Sequence, residues 1–296
     1  MVTFRHTGLL IGHSGLLIGA LSLSVSGLWY PAEAAAVQFV PHRAVYDIIL
    51  ARASPGSGIT DMTGRMVYEL VGNECAGYSQ KMRFVTRITG RDGEAQVNDL
   101  RSTTWEQAEG QKLRFTTKQF RNDQLEETTE GDAERNTGGN AVEVRLTKPG
   151  QKQLELDKRV MFPMQHSQAL IEAAKGNEKA LEAELYDGSE KGEKVYLTNA
   201  FIGREARQED KLKGVSPEIA AKTNLTAHAA WPMAISYYDA KAEQGDMVPS
   251  YELSFHLFEN GVSSKLFIDY GDFAIEGMLS DLTMLEKTPC ERPKGH

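Results

Sequence analysis

The chain has only two cysteines, Cys75 and Cys290, and both follow an N-terminal segment that has the features of an export signal. Exported proteins fold where thiols oxidise, so an even pair favours a disulfide over two free thiols. The bridge would close a loop of roughly 215 residues and tie the start of the mature domain to its last residues. In the chain-entropy model such a loop stabilises a fold by about 5 kcal/mol. The pair therefore predicts a large exported domain whose two ends are joined by a disulfide.

Residues 1–36 are predicted to be a cleaved signal peptide. Arg5 supplies a positive start, and residues 16–28 form an uncharged run of small and apolar residues. A run of small residues follows, and Ala-x-Ala cleavage fits either before Ala35 or before Val37.

The alternative to cleavage is a retained membrane anchor. Residues 8–30 carry no Asp, Glu, Lys or Arg, and a stretch of that length can cross a bilayer. Its Gly and Ser content and the cleavage-type run that follows favour a signal peptide. We therefore expect residues 37–296 to be a single soluble exported domain, with no membrane span after cleavage.

The net charge of −8 limits the classes of partner. A nucleic-acid-binding protein needs a basic face for the phosphates, so nucleic acid is not predicted as a partner. The same charge argues against simple attraction to anionic membrane surfaces.

From residue 43 onward, runs typical of β-strands alternate with turn sequences. In the run 81–88, apolar Met82, Phe84 and Ile88 alternate with polar or charged neighbours, which is typical of a strand with one wet face. Asp-Gly, Asn-Gly and Pro-Gly steps punctuate such runs.

The clearest hairpin is at the C-terminal end. Residues 251–258 and 262–270 flank Glu259-Asn-Gly261, and an Asn-Gly step readily takes the positive φ angles of a tight turn. Residues 273–285 are predicted to add one more strand that leads to Cys290.

Helical patterns interrupt the strands near the middle of the chain. Residues 163–175 form the main one, with Ser167 as a candidate N-cap and Gly176 as the stop. Residues 217–222 fit one helical turn, and residues 178–184 fit either a helix or a strand. The regular spacing of strands favours one large antiparallel sheet, curved into a barrel or half-barrel, over two small domains.

No catalytic or metal-binding signature is present in the mature segment. No His lies at a two-ligand spacing from another His or a Cys, and no Cys-x-x-Cys exists. We therefore predict no cofactor and no metal site. The histidines considered as structural or catalytic candidates are His42, His166, His228, His256 and His296.

Two groups of carboxylates have a functional and a structural interpretation. Asp269 and Asp272 could hold a cation, but a turn whose carboxylates cap backbone amides is the simpler interpretation. The second group is predicted to lie on a solvated strand face or loop and consists of Glu126, Glu127, Glu130 and Asp132.

The large aromatic residues also have two interpretations. Trp105 lies in a predicted strand, and Trp231 precedes Tyr237 and Tyr238 in another. Such rings either line a cavity for an acyl chain or a protein segment, or fill the core of the sheet.

Several segments together resemble the EipB family of alphaproteobacterial cell-envelope integrity proteins, catalogued as a domain of unknown function. The resemblance covers the whole mature chain, in order, and includes both cysteines. The segments that carry it are VPHRAVYD at 40–47, GRMVYE at 64–69, CAGY at 75–78, FPMQH at 162–166, YDGSE at 186–190, WP at 231–232, ENG at 259–261 and IDYGDF at 268–273.

The resemblance implies a periplasmic protein with a strongly bent antiparallel sheet, an open barrel or β-spiral, similar in outline to the lipoprotein chaperones LolA and LolB. It also implies a Cys75–Cys290 disulfide, a role in envelope integrity under stress, and genetic ties to a periplasmic tetratricopeptide-repeat protein. The family brings no catalytic residues.

Three functions follow from these features. The favoured one is a non-enzymatic factor that binds a protein, lipoprotein or lipid in or along the curved sheet. The second is an envelope-directed hydrolase whose site, two carboxylates or a Ser beside one of the histidines, is assembled by the fold. The third is a scaffold whose exposed edge strands pair with another protein.

Overall fold

A single antiparallel sheet of fourteen strands dominates the computed structural model, which describes residues 37–241 and 248–290. The strands are β1 (His42–Ala53), β2 (Ile59–Asn73), β3 (Gly77–Gly90), β4 (Ala95–Glu106), β5 (Lys112–Arg121), β6 (Gln124–Arg135), β7 (Ala141–Lys148), β8 (Lys152–Asp157), β9 (Ala180–Leu185), β10 (Tyr196–Ile202), β11 (Ala230–Asp239), β12 (Tyr251–Phe258), β13 (Ser263–Asp269) and β14 (Phe273–Met284). The helices are α1 (Pro163–Lys175), α2 (Gln208–Lys211) and α3 (Pro217–Lys222), with short 3-10 turns at Glu190–Gly192 and Leu225–Ala227. The predicted signal peptide lies outside the described residues.

The sheet winds outward from its centre, where β1 pairs with both β2 and β14. Its order is β8-β7-β6-β5-β4-β3-β2-β1-β14-β13-β12-β11-β10-β9, so β8 and β9 are the two edges. Within the described part of the chain, the two edges do not close into a ladder. A single parallel bridge joins Met161, which follows β8, to Leu185 at the end of β9. The sheet is thus an open barrel, mainly β in class, as the sequence predicts.

Strand alternation gives the sheet an inner and an outer face. In β1, His42, Ala44, Tyr46 and Ile48 are buried and face inward, whereas Ile49 is exposed. The main core packs α1 against the inner residues of β1, β2 and β10–β14. A smaller core lies under β5–β7 and includes Phe115, Phe162 and Tyr186, none of them more than 3% exposed.

The C-terminal hairpin and the helices follow the predictions with two refinements. β12 and β13 pair as an antiparallel hairpin across Glu259-Asn-Gly261, and Gly261 has φ 89°. The ambiguous segment 178–184 is the edge strand β9 and not a helix. The assignment of Ser167 as N-cap was wrong. Its hydroxyl donates to the carbonyl of Pro163 at 2.9 Å, one turn inside α1.

A disulfide joins Cys75 to Cys290, with an S–S length of 2.05 Å and a sequence separation of 215 residues. Asn73 reinforces the junction. Its side chain accepts hydrogen bonds from the amides of Cys75 (2.8 Å) and Ala76 (2.7 Å) and donates to the carbonyl of Thr288 at 2.7 Å. The β2–β3 turn is therefore held to the C-terminal segment by covalent and polar links.

No helix of the described ranges is long and apolar enough to cross a membrane.

Candidate binding cavity on the concave face

Helix α1 begins where a carboxylate from a distant strand meets its first amides. Glu106, the last residue of β4, accepts hydrogen bonds from the backbone amides of Met164 (2.7 Å) and Gln165 (3.0 Å). These amides have no partner inside the helix, and a negative group is stabilised at a helix N-terminus. Pro163 occupies the first turn, where its missing N–H costs nothing. The carboxylate of Glu106 thus takes the place of an N-cap side chain, while the side chain of Gln165 accepts from the amide of the N-cap residue Phe162 at 3.2 Å.

Arg135 fixes the segment that leads into α1. Its guanidinium donates to the carbonyls of Lys158 (2.6 Å), Val160 (2.7 Å) and Gly110 (3.0 Å). The same group also lies over the ring of Phe162, 5.3 Å from its centroid. A planar guanidinium with five donors suits such a junction of carbonyls better than an ammonium does. α1 is therefore held at a fixed position relative to β4 and β6.

Burial raises the pKa of Glu106 to about 7, although the amides of Met164 and Gln165 and the charge of Arg135 all act to lower it. The side chain is 1% exposed, so removal from water outweighs the hydrogen bonds. This carboxyl group titrates near neutral pH.

The inner face of α1 also carries a buried histidine with a defined tautomer. His166 Nε2 lies 3.2 Å from Thr198 Oγ1, and Thr198 gives its only hydroxyl proton to the carbonyl of Ala183 at 2.9 Å. His166 must therefore carry a proton on Nε2 and donate it to Thr198. Burial lowers the pKa of His166 to about 4, so the ring is neutral at physiological pH.

A cavity of about 240 Å³ lies between α1 and the concave face of the sheet. Its walls come from β1, β2 and β3 on one side and from β11, β12 and β13 on the other. These strands lie on opposite sides of β14 in the sheet order, so only the strong curvature of the sheet brings them together. The apolar wall includes Met66, Leu170, Ile235, Leu253 and Leu257.

A few polar groups reach the same cavity. Tyr68 donates its hydroxyl to Gln80 Oε1 at 3.0 Å, which leaves Gln80 Nε2 buried without a partner. Tyr46 donates to the carbonyl of Ser263 at 2.8 Å, and His42 Nδ1 lies 2.8 Å from the carbonyl of Val40. An apolar pocket with a few convergent polar groups is typical of a binding site. The volume is below the usual 300–1,000 Å³ of small-molecule sites, so it fits an alkyl segment or an apolar side chain.

None of the histidines proposed as catalytic candidates hydrogen-bonds a serine in the described parts of the chain, although His256 stands opposite Ser264 in the β12–β13 register. His166 contacts Thr198, and His42 contacts a backbone carbonyl. His228 Nδ1 lies 3.4 Å from Glu259 Oε1, and His256 Nδ1 is buried without a partner. His296 lies outside the described residues. Among residues 37–241 and 248–290, no group of three His, Cys, Asp or Glu side chains has the geometry of a metal site.

The carboxylate groups have structural partners. Asp269 accepts two hydrogen bonds from Arg52 (2.7 and 2.6 Å) and one from the amide of Gly271 (2.8 Å), which fits the turn interpretation. The backbone carbonyl of Asp272 accepts from the amide of Ser54. The second group lies on a face of β6, and all four members pair with basic residues: Glu126 with Arg121, Glu127 with Lys191, Glu130 with Lys148 and Asp132 with Arg145.

The aromatic residues divide between the two interpretations. Tyr237 lines the cavity, and Trp231 is 6% exposed within the main core. Trp105 belongs to neither, because its indole donates to the carbonyl of Ala76 at 3.2 Å and carries the guanidinium of Arg114 on its ring.

Sequence reasoning missed Glu106 and Arg135, which position α1. Glu106 ends a strand between Trp105 and Gln107, and nothing in its spacing indicates a partner 58 residues away. The one sequence feature that points to a distant cap is a missing side chain. Residue 162 is Phe, so the N-cap residue has no side-chain acceptor for the first amides of the helix.

Comparison with known proteins places the chain in a family. A protein of Brucella abortus (strain 2308) named cell envelope integrity protein EipB is 37% identical over 263 residues, which is 88% of this chain and 90% of the relative. The crystal structure of a β-barrel-like protein of a domain of unknown function from Brucella abortus superposes with a TM-score of 0.77 at 36% identity. It covers 85% of this chain and all of that structure. The EipB-like family model matches residues 33–286, and the chain belongs to this EipB-like family.

Proposed function

We propose that the protein supports the integrity of the cell envelope as a non-enzymatic periplasmic factor that binds an apolar cargo in its curved sheet. The observation that carries the proposal is the cavity between α1 and the concave face. The B. abortus relative is named a cell envelope integrity protein, which supports the envelope role.

The cargo that fits best is one end of an acyl chain or an apolar side chain of a lipoprotein or protein. The cavity holds about 240 Å³, too little to enclose a whole phospholipid, so the rest of the cargo would lie along the open concave face. Gln80 Nε2, buried and unpartnered, offers one donor to a polar group on the cargo.

Native mass spectrometry of the mature protein from its own periplasm tests the proposal. A reproducible added mass that organic solvent extracts as lipid, or that digestion identifies as a peptide, supports a bound cargo. The test variant is Leu253→Trp, whose ring fills the cavity. The control variant is Leu125→Trp, which places the same ring at an exposed position, since the Leu125 residue is 56% exposed. L253W should remove at least nine-tenths of the added mass, and L125W should keep it.

Overpacking costs about 1–3 kcal/mol, so L253W needs a milder companion. Met66→Phe, on the opposite wall, should also reduce occupancy while the thermal unfolding midpoint stays close to that of the unsubstituted protein. A bare mass for the unsubstituted protein, or equal occupancy in L253W and L125W, would rule out cargo binding in the cavity.

The periplasmic location and the tetratricopeptide-repeat partner are proposals that rest on the family resemblance, and the cleavage site is a proposal that rests on the signal-peptide pattern. N-terminal sequencing of protein released by spheroplasting should begin at Ala35 or Val37. Affinity purification after crosslinking in cells should recover a tetratricopeptide-repeat protein or an envelope lipoprotein. No observation favours the hydrolase alternative: no histidine of the described residues hydrogen-bonds a serine, and the two carboxylates that share a surface pocket, Glu130 and Asp132, are paired with Lys148 and Arg145.

A further inference from the structure

Basic side chains gather on the convex face of β3, β4 and β5, on the opposite side of the sheet from the cavity. We define the basic patch as five exposed residues: Lys81, Arg83, Arg87, Arg101 and Lys118. They lie on one face because Lys81, Arg83 and Arg87 alternate along β3, and the others stand opposite them in register.

Strand register places three of these cations side by side. Arg83 pairs with Arg101 across β3 and β4, and Arg101 pairs with Lys118 across β4 and β5. Neighbouring strands are about 4.8 Å apart, and like charges directly opposite each other destabilise a sheet. Such a row destabilises the sheet unless negative groups compensate it.

One buried carboxylate holds part of the row in place. Asp99 accepts hydrogen bonds from Arg83 (2.8 Å) and Arg101 (2.7 Å), and Phe120 lies 4.4 Å beneath the guanidinium of Arg101. Burial raises the pKa of Asp99, but the two arginines outweigh it and bring the value down to about 2. Both guanidinium groups are thus fixed, with donors left over for an external acceptor.

The patch is an excess of positive charge on an acidic protein. Lys81 has a carboxylate partner, Glu69 at 3.5 Å, whereas Arg87 and Lys118 form no ion pair within the described ranges. Five cations thus face two paired carboxylates, Glu69 and Asp99, and a third, Asp123, whose charge adds to the Asp99 hydrogen bond in raising the pKa of Arg83. The acidic residues of the next strand, β6, are themselves paired with basic residues outside the patch.

We propose that the basic patch docks the protein on the anionic phospholipid headgroups of an envelope membrane. Arginine forks bind phosphate oxygens in two-donor geometry, and a broad sheet face presents several such donors at once. Trp105 lies on the same convex face, and indole rings are favoured at the membrane–water interface. The net charge of −8 opposes attraction of the whole protein to anionic surfaces, but the register concentrates cations on this one face.

Vesicle flotation at low salt tests the proposal with the purified protein. Vesicles of phosphatidylglycerol and phosphatidylcholine should bind it, and pure phosphatidylcholine vesicles should not. Binding should disappear near 1 M salt, where the Debye length is about 3 Å. Each basic side chain near an anionic surface contributes about 1 kcal/mol, so R87Q/R101Q/K118Q should lower the partition coefficient about a hundredfold.

The matched control removes three positive charges elsewhere. R207Q/K213Q/K222Q lies on or beside α2 and α3, and those side chains are 58–74% exposed. It changes the net charge equally and should leave at least a third of the partition coefficient. R87Q/K118Q, which breaks no ion pair among the described residues, serves if the triple variant is destabilised and should bind more than tenfold more weakly. Equal losses in the patch and control variants, or no binding of the unsubstituted protein to anionic vesicles, would overturn the proposal.

Discussion

The carboxylate of Glu106 at the end of β4 accepts a hydrogen bond of 2.7 Å from the backbone amide of Met164 in the first turn of α1. This contact joins an inner strand of the sheet to the helix that covers the cavity. The position of that helix, and hence the volume of the cavity, depends on a contact between residues that are distant in sequence.

Replacing Glu106 with Ala should destabilise the protein by about 3 kcal/mol, because two buried helix amides lose their acceptor. Urea unfolding measures the free energy, and hydrogen exchange at residues 163–167 should accelerate. Glu155→Ala, at an exposed position on β8, is the control and should change the stability by less than about 0.5 kcal/mol. Equal exchange rates in both variants would mean that the cap is not needed.

Glu106 and His166 should give opposite pH dependences of stability. The pKa of Glu106 rises from 4.5 to about 7 on folding, so its contribution is full below pH 4.5 and is lost as the pH rises through 7. The pKa of His166 falls from 6.5 to about 4, so its contribution is full above pH 6.5 and is lost as the pH falls to 4. Each group contributes about 3 kcal/mol to the free energy of unfolding. Between pH 4.5 and 6.5 the contribution of Glu106 falls with pH while that of His166 rises, so the two pH dependences cancel.

Glu106→Gln removes the titration of residue 106 and leaves the opposing pH dependence of His166. Its free energy of unfolding should rise with pH between 4.5 and 6.5, whereas that of the unsubstituted protein should stay flatter. Burial also lowers the pKa of His42, which adds to the slope in the same direction. Urea midpoints at pH 4.5, 5.5 and 6.5 measure it. Parallel profiles for the two proteins would contradict the raised pKa of Glu106.

Loss of the disulfide should lower stability by about 5 kcal/mol in the chain-entropy model, because it closes a very long loop. At about 2–4 °C per kcal/mol for a domain of this size, C75S/C290S should melt at least 10 °C lower. Alkylation of the unreduced protein should label neither thiol. An unchanged melting temperature would show that the Asn73 contacts suffice without the bridge.

Thr198→Val should destabilise the protein by about 1–3 kcal/mol, because His166 Nε2–H and the carbonyl of Ala183 both lose a buried partner. Thr198→Ser keeps the hydroxyl and is the matched control, with a cost of about 1 kcal/mol for the lost methyl group. The readout is the urea midpoint. A larger loss in the serine variant than in the valine variant would show that packing, not the hydrogen bond, matters at this position.

Local patterns were sufficient for much of the fold. The Asn260-Gly261 step between two alternating runs predicted the β12–β13 hairpin, because a tight turn and its flanking strands are specified within about twenty residues. Segment 178–184 remained ambiguous, since its residues suit a helix and it becomes strand β9 only by pairing with β10. The N-cap of α1 was assigned wrongly to Ser167, because the side chain that accepts from the first amides of the helix is Glu106, at the end of the distant strand β4.

The sequence by itself determined an exported pattern, a β-rich chain with turns at regular spacing, one central helix, and two cysteines available for a bridge. These depend on periodicity, turn chemistry and cysteine number, which are local or countable. Only the tertiary structure decided the cavity, the Glu106 cap and the basic patch. Each needs side chains from several strands on one face, and which residues share a face is set by sheet register and curvature, through contacts between residues far apart in the chain.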